Sequence, residues 1–417
     1  MCDKVDEFYS ELVEKYKTNR NRLEIINLVK TYCEDNTERC IYLLKKKLEV
    51  DFSNDVNCQY LYLKTPDNYG CDLRELFFKR NGELINDDGQ DALIQRQELL
   101  QLFKEKRYLP NGKKIPHILT DIDDTLYPNH AAGIAGSDLS WFLHEHYPGI
   151  IRFYELFYSN ISDEEFRYST VLSATPGPLK SSKLKDKKRS IKNVLGDKYG
   201  FIQGEESKLK QLFNTGNRFQ LYGDIKYQRY KEYCLLFPEH QIIFIGDNGQ
   251  GDLMAGEKMM ANLKTDTNEH DTMVFIHEII ESSGLKNSRK EGKEDLLSIR
   301  FFKNYLELGK IFLGLGLIIQ ENIDDLKETI IGELQNNIHK ICDKRDILSC
   351  KKNKKYLEMF NHYLCCDKDI RNCFKDPLCI NEFELTLKDG GKKRTNKKKK
   401  KNRKTKKQRK LNNLLPP

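Results

Sequence analysis

The sequence predicts an α/β fold built on a doubly wound parallel sheet. Three observations predict it. Short apolar runs alternate with helical stretches from residue 113 to 285. These runs are continuously apolar rather than alternating, as in strands covered on both faces. Several end in acids or hydroxyls, where open α/β sheets place ligand-binding groups.

The elements follow in order. Residues 1 to 112 read as mainly helical and charged, with one strand-like piece, NCQYLYLKT, and no motif attached to chemistry. The candidate strands are IPHILTD, RYSTVLSA, FQLYGD, HQIIFIGD and TMVFIHEI. Between them lie the helical stretches PGIIRFYELFYS, KKRSIKNVLG, KYQRYKEYCLLF and GDLMAGEKMM. Alternation of this kind argues for crossover helices on a parallel sheet. Residues 286 to 389 read as helical again and contain several cysteines. FFKNYLELGKIFLGLGLIIQ within them is expected to be one helix packed on the sheet domain. Residues 390 to 417 form a basic tail, expected to be disordered.

Charge is unevenly spread. The net charge is +8, but residues 392 to 410 hold fourteen Lys or Arg and no acid. Without those fourteen charges the rest stands at −6. An acidic body with a basic tail points to a polyanionic partner, either an anionic membrane surface or nucleic acid. The longest apolar run, IFLGLGLII, is far short of the roughly 20 residues a membrane helix needs. The N-terminal MCDKVDEFYSELVEKY lacks the apolar region of a secretory signal. The chain is therefore read as not secreted and cytoplasmic, with the nucleus and the membrane surface as alternatives.

Twelve cysteines in such a chain are expected to be free thiols. Six fall between Cys342 and Cys379 without a C-x-x-C pair. Whether they bind zinc stays open; buried thiols in a small helical region are the plainer reading.

The chemistry-bearing residues sit at strand ends. HILTDIDDTLYPN places Asp121, Asp123 and Asp124 within four residues behind an apolar run. Such charge asks for a cation, and hard carboxylate oxygens suit Mg²⁺. Asp-rich stretches also cap helices and mark turns. A second strand tips the balance: HQIIFIGDNGQGDL ends in Asp247 and Asp252, with glycines at 246, 249 and 251. Ser173 ends STVLSA, ahead of Thr175-Pro176-Gly177, and can hold phosphate oxygens together with loop N–H groups. Lys226 is expected at the start of a helix after the strand FQLYGD, where it can neutralise a phosphate. A serine at a strand end and one lysine among 71 basic residues are ordinary features; their order along the chain raises them. Asp124 is assigned to capping the turn.

The order D-x-D-x-T, Ser, Lys, G-D-x-x-x-x-D resembles the haloacid dehalogenase superfamily of aspartate-nucleophile phosphatases. Residues 225 to 252, with Lys226, Phe237-Pro238 and GDNGQGD, look like the catalytic domain of the actin-patch type phosphatidate phosphatases. The TDIDDT and YPGIIRFYELF…VLSATPGPL stretches fit that pattern too. Asn248 stands where that family usually has Ser, and Thr175 where Asn, Arg or Ser variants are common. The resemblance covers under half the chain.

It implies a haloacid-dehalogenase-like core over 113 to 285 and an Mg²⁺-dependent phosphomonoesterase. Asp121 would be the nucleophile and Asp123 the general acid and base. Ser173 and Lys226 would hold phosphate oxygens. Asp121, Asp123 through its backbone carbonyl, Asp247 and Asp252 would hold the metal. The stretches available for covering the site, 126 to 168 and 176 to 225, leave room only for small caps. The site is therefore expected to be open and to take a phosphate on something large. A lipid phosphate such as phosphatidate is the first reading. Nucleic-acid or protein phosphate is the alternative, and a degenerate binding protein a third.

Overall fold

The computed structural model describes residues 4–19, 22–54, 73–128, 138, 141–142, 145–173, 189–203, 218–265, 271–279 and 299–342. Cys2 is described as well, and Arg80, Asp87, Asp88, Lys198 and Gln250 within those ranges are excepted. The strand-like NCQYLYLKT, the Thr175-Pro176-Gly177 loop, Cys350 to Cys379 and the basic tail lie outside them. Residues 1–323 form one compact unit and residues 324–417 a second.

The first unit is built on a six-stranded sheet in the order β3-β2-β1-β4-β5-β6, parallel throughout. The strands are β1 (Ile115–Thr120), β2 (Ser169–Ser173), β3 (Tyr199–Gln203), β4 (His240–Asp247), β5 (Thr272–His277) and β6 (Arg300–Phe302). The chain winds outward from β1 to β3, returns beside β1 as β4, then winds the other way. That reversal between β1 and β4 opens a crevice at the strands' carboxyl ends. Right-handed crossovers then place helices on both faces.

The N-terminal helices are α1 (Val5–Asn19), α2 (Arg22–Asp35), α3 (Glu38–Asn54), α4 (Leu73–Phe77) and α5 (Gln90–Glu105). They are followed by α6 (Ile150–Ser159), α7 (Arg218–Leu236), α8 (Asp252–Thr265), α9 (Tyr305–Gly314) and α10 (Gln320–Cys342). On one face α6 meets α9 through aromatic rings: Phe312 packs edge-on to Phe153 at 4.9 Å and to Phe157 at 5.8 Å. On the other face α7 lies beside α8.

The N-terminal helices belong to the same unit as the sheet. Lys45 of α3 pairs with Glu239 at 2.7 Å, both fully buried, and Glu49 of α3 accepts from Thr170 on β2. Below them His117 and His240 stack with centroids 4.4 Å apart. Gly200 on β3 faces Glu49; a Cβ there would meet Glu49 Oε1 at 2.3 Å.

Four expectations change. FQLYGD is not a strand but the first part of α7. Leu221, Tyr222 and Ile225 recur at helical spacing and pack together, which outweighs the apparent alternation. Gly223 in that helix lies where a Cβ would come within 2.8 Å of the Gly251 carbonyl, so helix and loop approach closely. The sheet also continues past residue 285, since β6 pairs with β5. The stretch after Arg300 is not one helix. Asn304 caps α9 by accepting from the Glu307 N–H at 2.9 Å, and Gly316, at φ +71°, turns the chain after it. Finally, Cys2 and Cys40 are joined by a disulfide that ties the N-terminus to α3, where free thiols were expected. Cys33 and Cys234 are free, as expected, and both are buried.

Candidate metal and phosphate site

β1 and β4 run side by side, with Thr120 opposite Ile245. Each ends in an aspartate at the crevice: Asp121 follows β1, and Asp247 closes β4. Asp252 opens α8, where the positive end of the helix dipole favours a carboxylate. Gly246 allows the approach, because a Cβ there would lie 2.6 Å from Asp252 Oδ2. That oxygen accepts from the Asp247 N–H at 3.2 Å, and Asp247 accepts from the Gly249 N–H.

Lys226 reaches this cluster from the middle of α7 rather than from its start. Its Nζ lies 2.8 Å from Asp121 Oδ1 and also pairs with Asp252. The whole group is buried: Asp121 is 4% exposed, Lys226 2%, Asp247 and Asp252 0%. Burial pushes the Asp121 carboxyl up to about 7; Asp252 and Asp123 push the same way while Lys226 opposes. Asp247 is raised well above the usual carboxylate range by burial, then by Asp252, Asp124 and Asp121. Burial works against the charge on Lys226, but Asp121, Asp252 and Asp247 together outweigh it and raise its pKa.

One oxygen from each of Asp121, Asp247 and Asp252 lies within 4.8 Å of the others, a set that could hold a metal ion. Asp121 Oδ2 is buried and accepts no hydrogen bond among the described residues. Buried carboxylate oxygens with excess negative charge fit a hard divalent cation.

The structure thus brings together Asp121, Asp247, Asp252 and Lys226. Asp123 occupies the turn after β1, buried, with its backbone bridged to Tyr127; its carboxylate is outside the three-oxygen set. Ser173 ends β2 at the same sheet edge: Thr120 is opposite Val171, and Ser173 stands two residues further on. The expectation of small caps and an open site falls in part on residues 129–137, 174–188 and 204–217, outside the described residues.

Sequence reasoning missed three contributors. Asp124 is fully buried, its Oδ1 accepts from the Asp138 N–H at 3.2 Å, and its charge acts on Asp247. It holds a folded-back turn, a larger task than capping. Its signal was visible as a third acid in four residues. His277 and Tyr305, which bind the carbonyls of this turn, carried no signal in the sequence.

Among the described residues, no helix is long and apolar enough to cross a membrane. No family model, curated protein or solved structure matches the chain.

Proposed function

We propose that the chain is a Mg²⁺-dependent phosphomonoesterase of the haloacid dehalogenase type, acting on a lipid phosphate such as phosphatidate. One observation carries the reading: Lys226 and Asp121 meet at 2.8 Å inside a buried cluster completed by Asp247 and Asp252. A purely structural ion pair would not need two further carboxylates pressed against it, since each raises the electrostatic cost.

Asp121 is the nucleophile. Its carboxylate oxygen bonds to phosphorus as the bond to the leaving oxygen breaks, giving an aspartyl-phosphate and dividing one displacement into two. Asp123 gives its proton to the departing alkoxide, then takes a proton from the water that attacks phosphorus and frees Asp121. Lys226 turns from Asp121 toward a non-bridging phosphate oxygen, where its charge offsets the one that builds up. Ser173 offers a hydroxyl at the same edge. Asp121, Asp247 and Asp252, with the Asp123 carbonyl, would hold Mg²⁺, which offsets the repulsion between nucleophile and phosphate.

The choice of a lipid phosphate rests on the likeness of residues 225 to 252 to phosphatidate phosphatases. Phosphate release is the test, with phosphatidate vesicles, a 5′-phosphorylated oligonucleotide and a phosphopeptide offered in parallel, each with Mg²⁺ and with EDTA. Release from phosphatidate that stops in EDTA is expected. Faster release from another substrate would reassign the substrate, and no release from any would overturn the reading.

A further inference from the structure

We propose that His277 and Tyr305 form a carbonyl clamp that fixes the turn carrying Asp123, which makes both of them positioning residues. The acid-base part of this inference rests on the phosphatase reading; the clamp itself does not. Asp124, directly after Asp123, has φ +60°, a left-handed conformation that is uncommon for a non-glycine residue. Such a residue keeps that conformation only where its surroundings impose it.

Three contacts impose it on Asp124. Its N–H donates to the Tyr127 carbonyl at 2.9 Å. Its Oδ1 accepts from the Asp138 N–H. Its carbonyl accepts from His277 Nδ1 at 2.9 Å. A carbonyl oxygen only accepts, so Nδ1 is the donor in this shorter contact, while Nε2 faces the Lys303 carbonyl at 3.3 Å. The next carbonyl, that of Thr125, accepts from the Tyr305 hydroxyl at 2.7 Å. Two successive carbonyls are therefore gripped by side chains from β5 and α9.

Neither grip is loose. His277 is 1% exposed and Tyr305 0%. The imidazole stacks on Phe302 at 5.1 Å and meets Tyr147 edge-on at 4.7 Å, while Tyr305 packs against Phe153 and Phe302. Tyr147 in turn donates to Asp138 at 2.6 Å, closing the arrangement around Asp124. The direction the chain takes at Asp124 sets where the Asp123 carboxyl stands. A displacement of about 1 Å in such a group can cost on the order of a hundredfold in rate. β6 and α9, outside the boundary that the sequence suggested, thereby help to place a group at the site.

Two readouts test this in the full chain. The first is amide hydrogen exchange over residues 119 to 128 in Tyr305→Phe and His277→Leu. Exchange there should quicken about tenfold while β4, at 240 to 247, is unchanged; unaltered exchange in both variants overturns the clamp. The second compares an alkyl phosphate with a dinitrophenyl phosphate, whose leaving group needs no proton. Tyr305→Phe should lower kcat/KM, which reports the first transfer alone, about tenfold or more on the alkyl ester and less than threefold on the aryl ester. His277→Asn, whose amide can replace Nδ1–H, should recover part of the loss seen in His277→Leu. Equal losses on both esters would overturn the positioning of Asp123. A wild type that cleaves neither ester leaves exchange alone to decide the clamp, and one that also releases nothing from phosphatidate defeats the phosphatase reading.

Discussion

Lys226 and Asp121 form a buried ion pair, 2.8 Å from Nζ to Oδ1, between the middle of α7 and the end of β1. The pair is not closed on itself. The same lysine holds Asp252, and Asp247 stands close enough for its charge to act on it. Several carboxylates crowd around one ammonium, a set that could hold a metal ion.

Asp121→Asn should abolish turnover and leave the fold intact. Asn has nearly the same shape but forms no phosphoryl ester. Circular dichroism should match wild type. Turnover above about a tenth of the wild-type rate would remove Asp121 from the nucleophile's role.

Lys226→Met should be costly in the absence of metal. Removing one partner of a buried pair typically costs about 3–5 kcal/mol, because the remaining charge is left uncompensated. Urea denaturation in EDTA should show a loss of that order. Mg²⁺ should restore part of it, since a cation among the same carboxylates replaces the missing charge. An unchanged midpoint in EDTA would mean that the carboxylates are neutral in the folded protein.

Asp247→Asn should act in the opposite direction on stability. Asp247 is raised by burial and by three neighbouring acids, so its charge is held at a cost. An amide keeps an oxygen for the Gly249 N–H and removes the repulsion. The metal-free protein should become more stable. Mg²⁺ should then stabilise it less than wild type. Calorimetric melting with and without Mg²⁺ checks both halves, and a metal-free variant less stable than wild type would contradict the first.

The strands β1, β2, β4 and β5 were legible because buried parallel strands are continuous apolar runs. Asp121, Ser173 and Asp247 were legible because they end those runs. β3 was not: YGFIQ is short, and its Gly200 answers to Glu49, just over 150 residues earlier in the chain. Lys226 was identified, but its helix was begun too late, because Phe219 and Leu221 alternate like a strand while Leu221, Tyr222 and Ile225 pack like a helix. β6 has only three residues, and pairing alone defines it. His277 and Tyr305 act through contacts to backbone carbonyls more than 150 residues away along the chain, which no local pattern encodes.

The stacked pair His117 and His240 makes a separate prediction about pH. Both rings are fully buried. Burial lowers His117 to about 3 and lowers His240 well below the usual histidine value, with the neighbouring His117 and Lys45 adding to the effect on His240. In the unfolded chain each titrates near 6.5. Between those values the unfolded state binds more protons, so stability is full above about pH 6.5 and falls as the pH drops. Between pH 7.5 and 5.5 the loss should be about 1.4 kcal/mol for each histidine. Asp121 and Asp247 have the reverse sign, because their raised values let the metal-free folded state take up protons first. The comparison must therefore be between proteins that share them. His117→Phe keeps a flat ring against His240 and Tyr233. The stability difference, wild type minus His117→Phe, should fall by about 1.4 kcal/mol from pH 7.5 to 5.5 in urea titrations. Parallel pH profiles for the two proteins would show that His117 takes up its proton without unfolding, and that the pair beneath the N-terminal helices is not held neutral.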